Sequence, residues 1–342
     1  MLNTQNGVKI KMLNIPSKIV RRLKWGVAGC GDFTERVFIP TLQLMPKSKL
    51  VSVYSSDLQR AKLIADKFSV QNAFNDLDAM LKSDIDCVYI GSANYNHYDQ
   101  VIRAAKAGKH IHCEKPLALN SVQAEEMVKV CRENNVLLSV NYILRFHPLV
   151  QKAREIIEKG MLGKIVSVST NFNVDMAPND NFRFVREKSG GGALRDIGTH
   201  MIDLLRLFGG EIEEINGVVD NIIYKSEVED FAAGVAKFKK SGYGFFNVSY
   251  NTKKGFNRVE ILGYNGGISI ENLIGRVTKP CKLTISLHGE AKKAFRKRTN
   301  KQLTALRNIQ KSFLNNHQPM VSGEDGLINI KLMEELESKC GL

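Results

Sequence analysis

The sequence predicts an α/β fold in two parts, and three observations predict it. Short apolar runs alternate with amphipathic segments from Leu23 to about residue 145, the pattern of strands and helices in a parallel sheet. After Arg145 longer strand-like segments take over, separated by glycine and asparagine turns, as in a large, mostly antiparallel open sheet. The chain has 342 residues, more than one hydrophobic core serves, since cores stop growing at roughly 250 to 300 residues.

In the first part, strand Leu23–Ala28 leads into a helix over Glu35–Leu44. Strand Leu50–Ser55, helix Leu58–Phe68, helix Leu77–Leu81 and strand Cys87–Gly91 follow. Helix His97–Ala107, strand His110–Cys113, helix Ser121–Glu133 and strand Leu137–Asn141 complete a domain over residues 23–145. The second domain, 146–342, opens with a helix near Pro148–Lys159 that stops at Gly160. Its strands are Ile165–Asn173, Ile215–Tyr224, Phe231–Lys239, Gly242–Tyr250, Asn257–Gly263, Gly267–Glu271 and Lys282–Leu287. One helix, Asp196–Leu207, interrupts them, and two more close the chain near Thr299–Asn315 and Gly323–Lys339.

Composition narrows the class. The chain is 43% hydrophobic and 25% charged, and no run offers the roughly 18 apolar residues of a membrane span. It reads as a soluble, cytoplasmic protein with no membrane partner. Six cysteines without a C-x-x-C pair read as free thiols. The formal charge of +14 is unusual. Part of it comes from a basic leader over residues 1–22, which carries Lys9, Lys11, Lys18, Arg21 and Arg22. Another part comes from the cluster Lys292, Lys293, Arg296, Lys297, Arg298 and Lys301. Neither has zinc-finger spacing or more than a little aromatic interleaving, so nucleic acid is not the expected partner. A solvated basic surface or an anionic small molecule fits both. The leader lacks an apolar core followed by a small-residue cleavage site, so it is not read as a secretory signal. An organelle-type leader, or a start at Met12, stays open.

The glycine turn Gly26-Val-Ala-Gly-Cys-Gly-Asp-Phe-Thr34 follows the first strand and opens a helix, the context that a dinucleotide fingerprint requires. Gly29 permits the tight turn, and Gly31 lets a pyrophosphate approach the backbone. The amides around Cys30, Asp32 and Phe33 then point at the anion. The third small residue is Thr34 rather than glycine, which loosens the helix-packing part of the argument. A merely structural turn has the same look. At the end of the second strand, where an NAD site carries an acid for the ribose, Ser55 and Ser56 leave room for a 2′-phosphate that Arg60 or Lys62 would meet. NAD or NADP is therefore the expected cofactor, with a lean to NADP. A one-residue shift would make Asp57 the ribose ligand instead.

Glu114-Lys115-Pro116 follows the strand His110–Cys113 on the carboxyl edge of the sheet. There Lys115 can stabilise a developing alkoxide, with Glu114 tuning its charge. A surface Lys–Glu pair is the plain alternative. Asp196-Ile-Gly-Thr-His200 follows the glycine run 190–192, read as flexible, and its spacing puts both side chains on one helix face. His200 titrates near neutrality and suits proton transfer, while Asp196 bonds the substrate or fixes the histidine. An N-cap aspartate and a satisfied core histidine fit equally. No metal is expected, because no further ligand stands at suitable spacing nearby.

In this order, Gly26–Gly31, Ile90-Gly-Ser-Ala-Asn-Tyr-Asn-His97, Glu114–Pro116, Asn141-Tyr-Ile-Leu-Arg-Phe-His-Pro148 and Gly190–Asp203 resemble the family of glucose-fructose oxidoreductase, inositol dehydrogenase and the rhizopine-catabolism protein. The resemblance runs over nearly everything from Leu23 onward. It implies a Rossmann domain, then an α/β domain whose open sheet makes homo-dimer or homo-tetramer contacts, with substrate between the two. It implies catalysis by Lys115, His200 and Asp196, and substrate contacts from Lys115, Arg183, Asp196 and His200. Ser92, Asn94 and His97 would line the cofactor loop, and Glu114, Asn141 and Arg145 would approach the cofactor. Ala93 replaces the proline usual in that loop. The implied reaction is hydride transfer between nicotinamide and a carbinol or carbonyl carbon of a sugar, cyclic polyol or sugar nucleotide. An NAD-dependent glycoside hydrolase that recycles its cofactor and a non-catalytic dinucleotide sensor are the alternatives.

Overall fold

Leu23, Trp25, Val27 and Ala28 are all buried in β1 (Leu23–Ala28), so beyond Lys24 the strand reads as an apolar run, as a strand covered on both faces does. Residues 21–275 and 279–342 are described in this computed structural model. Of the basic leader only Arg21 and Arg22 fall within them; Met12, Lys9, Lys11 and Lys18 lie outside the described residues.

After β1 come α1 (Ile39–Gln43), β2 (Ser48–Tyr54), α2 (Leu58–Phe68), β3 (Asn72–Phe74) and α3 (Leu77–Leu81). Then follow β4 (Cys87–Ile90), α4 (His97–Lys106), β5 (His110–Cys113), α5 (Ser121–Glu133) and β6 (Leu138–Val140). The strands form one parallel sheet in the order β3-β2-β1-β4-β5-β6, the doubly wound arrangement whose strand order reverses beside the first strand. The carboxyl ends of β1, β2, β4, β5 and β6 therefore open on one edge, with the glycine turn at the reversal.

The second half runs α6 (Pro148–Glu158), β7 (Ile165–Asp175), α7 (Arg186–Ser189), α8 (Thr199–Gly209), β8 (Ile212–Asp220), β9 (Phe231–Phe238) and β10 (Tyr243–Ser249). β11 (Asn251–Gly263), β12 (Gly266–Glu271), β13 (Cys281–Leu287), β14 (Lys293–Lys297), α9 (Lys301–Asn315) and α10 (Gly323–Lys339) complete it. Its eight-stranded sheet has the order β14-β13-β12-β11-β7-β10-β9-β8, antiparallel throughout except for β7 against β10. Helices α6, α8 and α10 pack on one face. Val218, Val235, Tyr243 and Phe245 stand exposed on the other.

Four expectations change. The strand expected over Ile215–Tyr224 ends at Asp220, because the Asp230 carboxylate accepts hydrogen bonds from the amides of Ile222, Ile223 and Tyr224 at 2.7–2.8 Å. Those amides leave the ladder. The basic cluster contains the strand β14, which is exposed along its whole length, so it shows no alternation to read. The helices expected to begin at Glu35 and Asp196 are each entered through a wide turn, Thr34–Phe38 and Leu194–Gly198, with i→i+5 hydrogen bonding; such turns recur at functional sites. The tail also touches both sheets: α10 packs on the second, while α9 and the segment before α10 reach the first. The ring of Phe313 on α9 lies 6.0 Å from Trp25 of β1, Gln310 donates to Ser48 at 2.6 Å, and the Val140 amide of β6 donates to the Val321 carbonyl.

Candidate active site

The carboxyl edge of the parallel sheet faces the second half across a cleft of about 1120 Å³. Gly29 sits at φ +101°, and a Cβ there would collide with the Ser92 backbone nitrogen; the turn accepts only glycine. A Cβ on Gly31 would meet nothing within 4 Å, because that position faces the open cleft. Cys30, Asp32 and Phe33 line the cleft with both glycines, and the first amides of the helix that begins there have no intrahelical acceptor. Thr34 is fully buried. The room it takes is supplied by Gly91, whose Cβ would stand 2.7 Å from Thr34 Oγ1. The demand for a small residue has moved across the interface rather than vanished.

Ser55 and Ser56 line the far end of the cleft. Asp57 caps α2, its Oδ1 accepting from the amides of Gln59 (2.8 Å) and Arg60 (3.3 Å), and it does not stand among the residues that line the cleft. Arg60 reaches back under the glycine turn, donating through Nε to the Cys30 carbonyl at 2.9 Å and pairing with Glu35. Lys67 shares the same carboxylate at 2.7 Å, so two cations face one acid. Lys62 points into solvent.

Ser92 and Asn94 line the cleft. Ala93 stands at φ −68°, ψ 150°, the backbone a proline would impose, so its substitution leaves the loop shape in place. His97 does not line the cleft. It is fully buried, with Nδ1 2.9 Å from the Pro116 carbonyl and Nε2 3.2 Å from that of Ser92, and so fastens two cleft loops together from behind. Asn141 is also buried behind the cleft. Its Nδ2 donates to Glu114 Oε1 at 2.5 Å and to Gln302 at 3.3 Å. Arg145 turns the other way. It makes a bidentate pair with Asp203 and a second pair with Asp325 at 3.0 Å, so its charge is already spent inside the protein.

At the inner end of the cleft the two halves meet. Lys115, 15% exposed, donates from Nζ to Asp196 Oδ1 at 2.5 Å and to the Asp196 carbonyl at 2.7 Å. Glu114 does not pair with that ammonium. It accepts from the Tyr89 hydroxyl at 2.8 Å and from Asn141, and burial pushes its pKa up against the pull of Lys115. Burial also works to raise Asp196, but Lys115, Arg183 and the hydrogen bonds from Lys115 and Tyr250 outweigh it and hold the carboxyl well below the usual range.

The glycine run before Asp196 is packed rather than flexible: a Cβ on Gly192 would collide with the Glu229 carbonyl. Glu229 accepts from the Leu194 amide at 3.0 Å, which anchors the start of the wide turn. Between Asp196 and His200 no hydrogen bond forms; both carboxylate oxygens face elsewhere. His200 stands edge-on to the Tyr142 ring at 5.8 Å, and its Nδ1 is buried without a partner among the described residues. Burial first, then Lys115, pushes its pKa down to about 3. The expected titration near neutrality does not hold in this setting, and the imidazole is neutral at pH 7.

Three contributors went unread in the sequence. The Tyr250 hydroxyl donates to Asp196 Oδ2 at 2.6 Å, Gln302 reaches Asn141 from α9, and Arg36 lines the cleft beside Asp32. Arg183 lines the cleft, with Nε 3.7 Å from Asp196 Oδ2, Nη1 donating to Asn181 Oδ1 at 3.3 Å and its guanidinium over the Phe182 ring.

Residues 23–142 match the family described as "Oxidoreductase family, NAD-binding Rossmann fold", and residues 150–269 match the GFO/IDH/MocA C-terminal domain. The chain is 26% identical over 308 residues to 1,5-anhydro-D-fructose reductase of Ensifer adhaerens, covering 89% of this chain and 92% of that protein. Two solved structures share the fold. One is levoglucosan dehydrogenase in complex with NADH (TM-score 0.86, 22% identity, 94% of this chain and 97% of that one). The other is a 3-ketoreductase from Actinomadura kijaniata in complex with NADP and TDP-benzene (TM-score 0.83, 24% identity, 93% and 98%). With the glycine cleft inside one matched segment and the Asp196 turn inside the other, the chain belongs to the GFO/IDH/MocA family of NAD(P)-dependent oxidoreductases.

Proposed function

We propose that this enzyme transfers hydride between nicotinamide and a carbinol or carbonyl carbon of a sugar, cyclic polyol or sugar nucleotide, with the reacting oxygen held by Lys115. The contact between Lys115 Nζ and Asp196 Oδ1 carries the reading, because it joins the cofactor half to the substrate half at the inner end of the cleft. The bound dinucleotide supplies the hydride chemistry. An ammonium has three donors; Asp196 takes two of them, and the third is left for the substrate oxygen. There it stabilises negative charge as the alkoxide develops and exchanges the hydroxyl proton. Asp196 stays ionised, so it orients Lys115 and keeps the local charge balanced. His200, neutral, serves as a hydrogen-bonding partner to a substrate hydroxyl rather than as an imidazolium acid.

NADP is the cofactor this reading favours, since Ser55 and Ser56 line the cleft just past β2 and Arg60 is held beside the turn. Arg183, lining the cleft, suits an anionic group on the substrate, such as the phosphate of a nucleotide-linked sugar. The names of the relatives support the sugar class. A homo-dimer or homo-tetramer would cover the exposed Val218, Val235, Tyr243 and Phe245.

The test is a panel of ketosugars, sugars, cyclic polyols and sugar nucleotides, assayed with NADP and NAD in both directions by nicotinamide absorbance. One external cofactor consumed per substrate is expected. Turnover with none consumed would instead mark a hydrolase with a recycled cofactor, and dinucleotide binding without any hydride transfer would mark a sensor.

A further inference from the structure

Asp196 lies between two cations that compete for it. Lys115 holds Oδ1 at 2.5 Å, and Arg183 approaches Oδ2 but stops at 3.7 Å. A guanidinium ordinarily takes a carboxylate with both oxygens, in a planar fork stronger than a single ammonium contact. Oδ2 is instead taken by the Tyr250 hydroxyl, which donates to it at 2.6 Å, while Arg183 donates from Nη1 to Asn181 Oδ1 at 3.3 Å. Tyr250 follows β10 directly and is 1% exposed. Its backbone is fixed on both sides, its amide donating to the Asp230 carbonyl at 2.8 Å and its carbonyl accepting from Met176 at 2.7 Å. The Phe184 ring stands edge-on at 6.1 Å. Burial raises its pKa well above the ordinary value, helped by the Asp196 charge, so the phenol keeps its proton and remains a donor.

We infer that Tyr250 is a positioning residue that partitions Asp196 between the two cations: it occupies Oδ2, reserves Oδ1 for Lys115, and keeps Arg183 off the carboxylate, on Asn181 and the Phe182 ring, where the rest of its fork serves the substrate. The inference rests on the proposed role of Lys115. Without the hydroxyl, Arg183 gains the carboxylate in bidentate form, and Lys115 loses the contact that orients its third N–H.

Tyr250→Phe removes only the oxygen. With Lys115→Ala run alongside, three quantities are measured: kcat and sugar KM, and the dissociation constant of NADPH by fluorescence titration. In Tyr250→Phe, kcat should fall about tenfold, as for loss of one charge-assisted hydrogen bond, and KM should rise because Arg183 is now engaged. NADPH affinity should stay within about twofold, since the dinucleotide cleft is untouched. Adding Arg183→Gln should then restore most of the lost kcat at saturating sugar, a recovery that general loosening of the fold would not give. Assays are run on the NADPH-bound enzyme well below its melting transition, so that any loss of stability is not counted as loss of rate. Unchanged kcat in Tyr250→Phe, or no recovery in the double variant, overturns the partition while leaving the role of Lys115 standing. Full turnover in Lys115→Ala overturns both.

Discussion

Replacing Arg60 by Gln should abolish the proposed NADP preference and leave a site that no longer distinguishes the two dinucleotides. Arg60 is held by the Cys30 carbonyl and by Glu35 at the edge of the glycine turn, where the proposed site puts the adenosine ribose next to Ser55 and Ser56. A hydrogen bond between a guanidinium and a phosphate contributes about 1.5–3 kcal/mol, or roughly ten- to 150-fold in affinity. Two features argue for the lower end. The Arg60 side chain is 35% exposed, so solvent screens it, and Glu35 already neutralises part of its charge. The expected loss for NADP is therefore about ten- to thirtyfold. NAD affinity should change by less than about threefold, because Glu35 keeps Lys67 as a partner at 2.7 Å and the turn amides are untouched. Isothermal titration of both dinucleotides against both proteins measures it, with the NADP preference of the wild type shrinking as salt rises. Equal losses for the two cofactors, or a wild type that prefers NAD, would refute the reasoning.

Gly29→Ala should cost more than the ordinary strain of a left-handed residue, about 1–2 kcal/mol, because its Cβ also meets the Ser92 backbone nitrogen; lost dinucleotide binding with a lowered urea midpoint checks it. Arg145→Met should destabilise the fold by about 3–5 kcal/mol by stranding Asp203, which is 1% exposed, while the folded protein keeps its NADPH affinity. A large affinity loss at unchanged stability would return Arg145 to the cofactor site. His147, 2% exposed, has its pKa pushed down to about 4 by burial, then by Lys301 and Lys297. The unfolded chain therefore takes up the proton first, and stability falls as pH drops from about 6.5 toward 4. Against His147→Asn, which keeps an acceptor for the Leu149 amide, the wild type should lose about 1 kcal/mol between pH 6.5 and 5.5, measured by urea unfolding.

The parallel half was legible because its signals are local. An apolar run, a glycine turn and a helix start lie within a dozen residues, and β4 and β6 are buried along their whole length; the three half-buried residues of β3 carried no such signal. The Lys115 and Asp196 motifs were legible for the same reason. Their direct contact was not, since it spans 81 residues in sequence and no periodicity encodes it. Tyr250 carries no motif at all; it is a strand-end tyrosine until the fold brings it to Asp196. Arg145 and His97 show what a segment's likeness does not tell: both sit in family-like segments, and their polar atoms engage Asp203, Asp325 and backbone carbonyls. Strand β14 escaped reading because an exposed edge strand protects itself with charge, and charge was its only visible feature.

The most direct test is pre-steady-state hydride transfer in the wild type and in Lys115→Ala, each mixed with saturating dinucleotide and a substrate identified from the panel. Dinucleotide affinity is measured on the same preparations. If Lys115 holds the reacting oxygen, affinity stays within about threefold while the transfer rate falls by at least about 10²-fold, as for loss of a positioned proton donor. Transfer at the wild-type rate in the alanine variant would contradict that assignment.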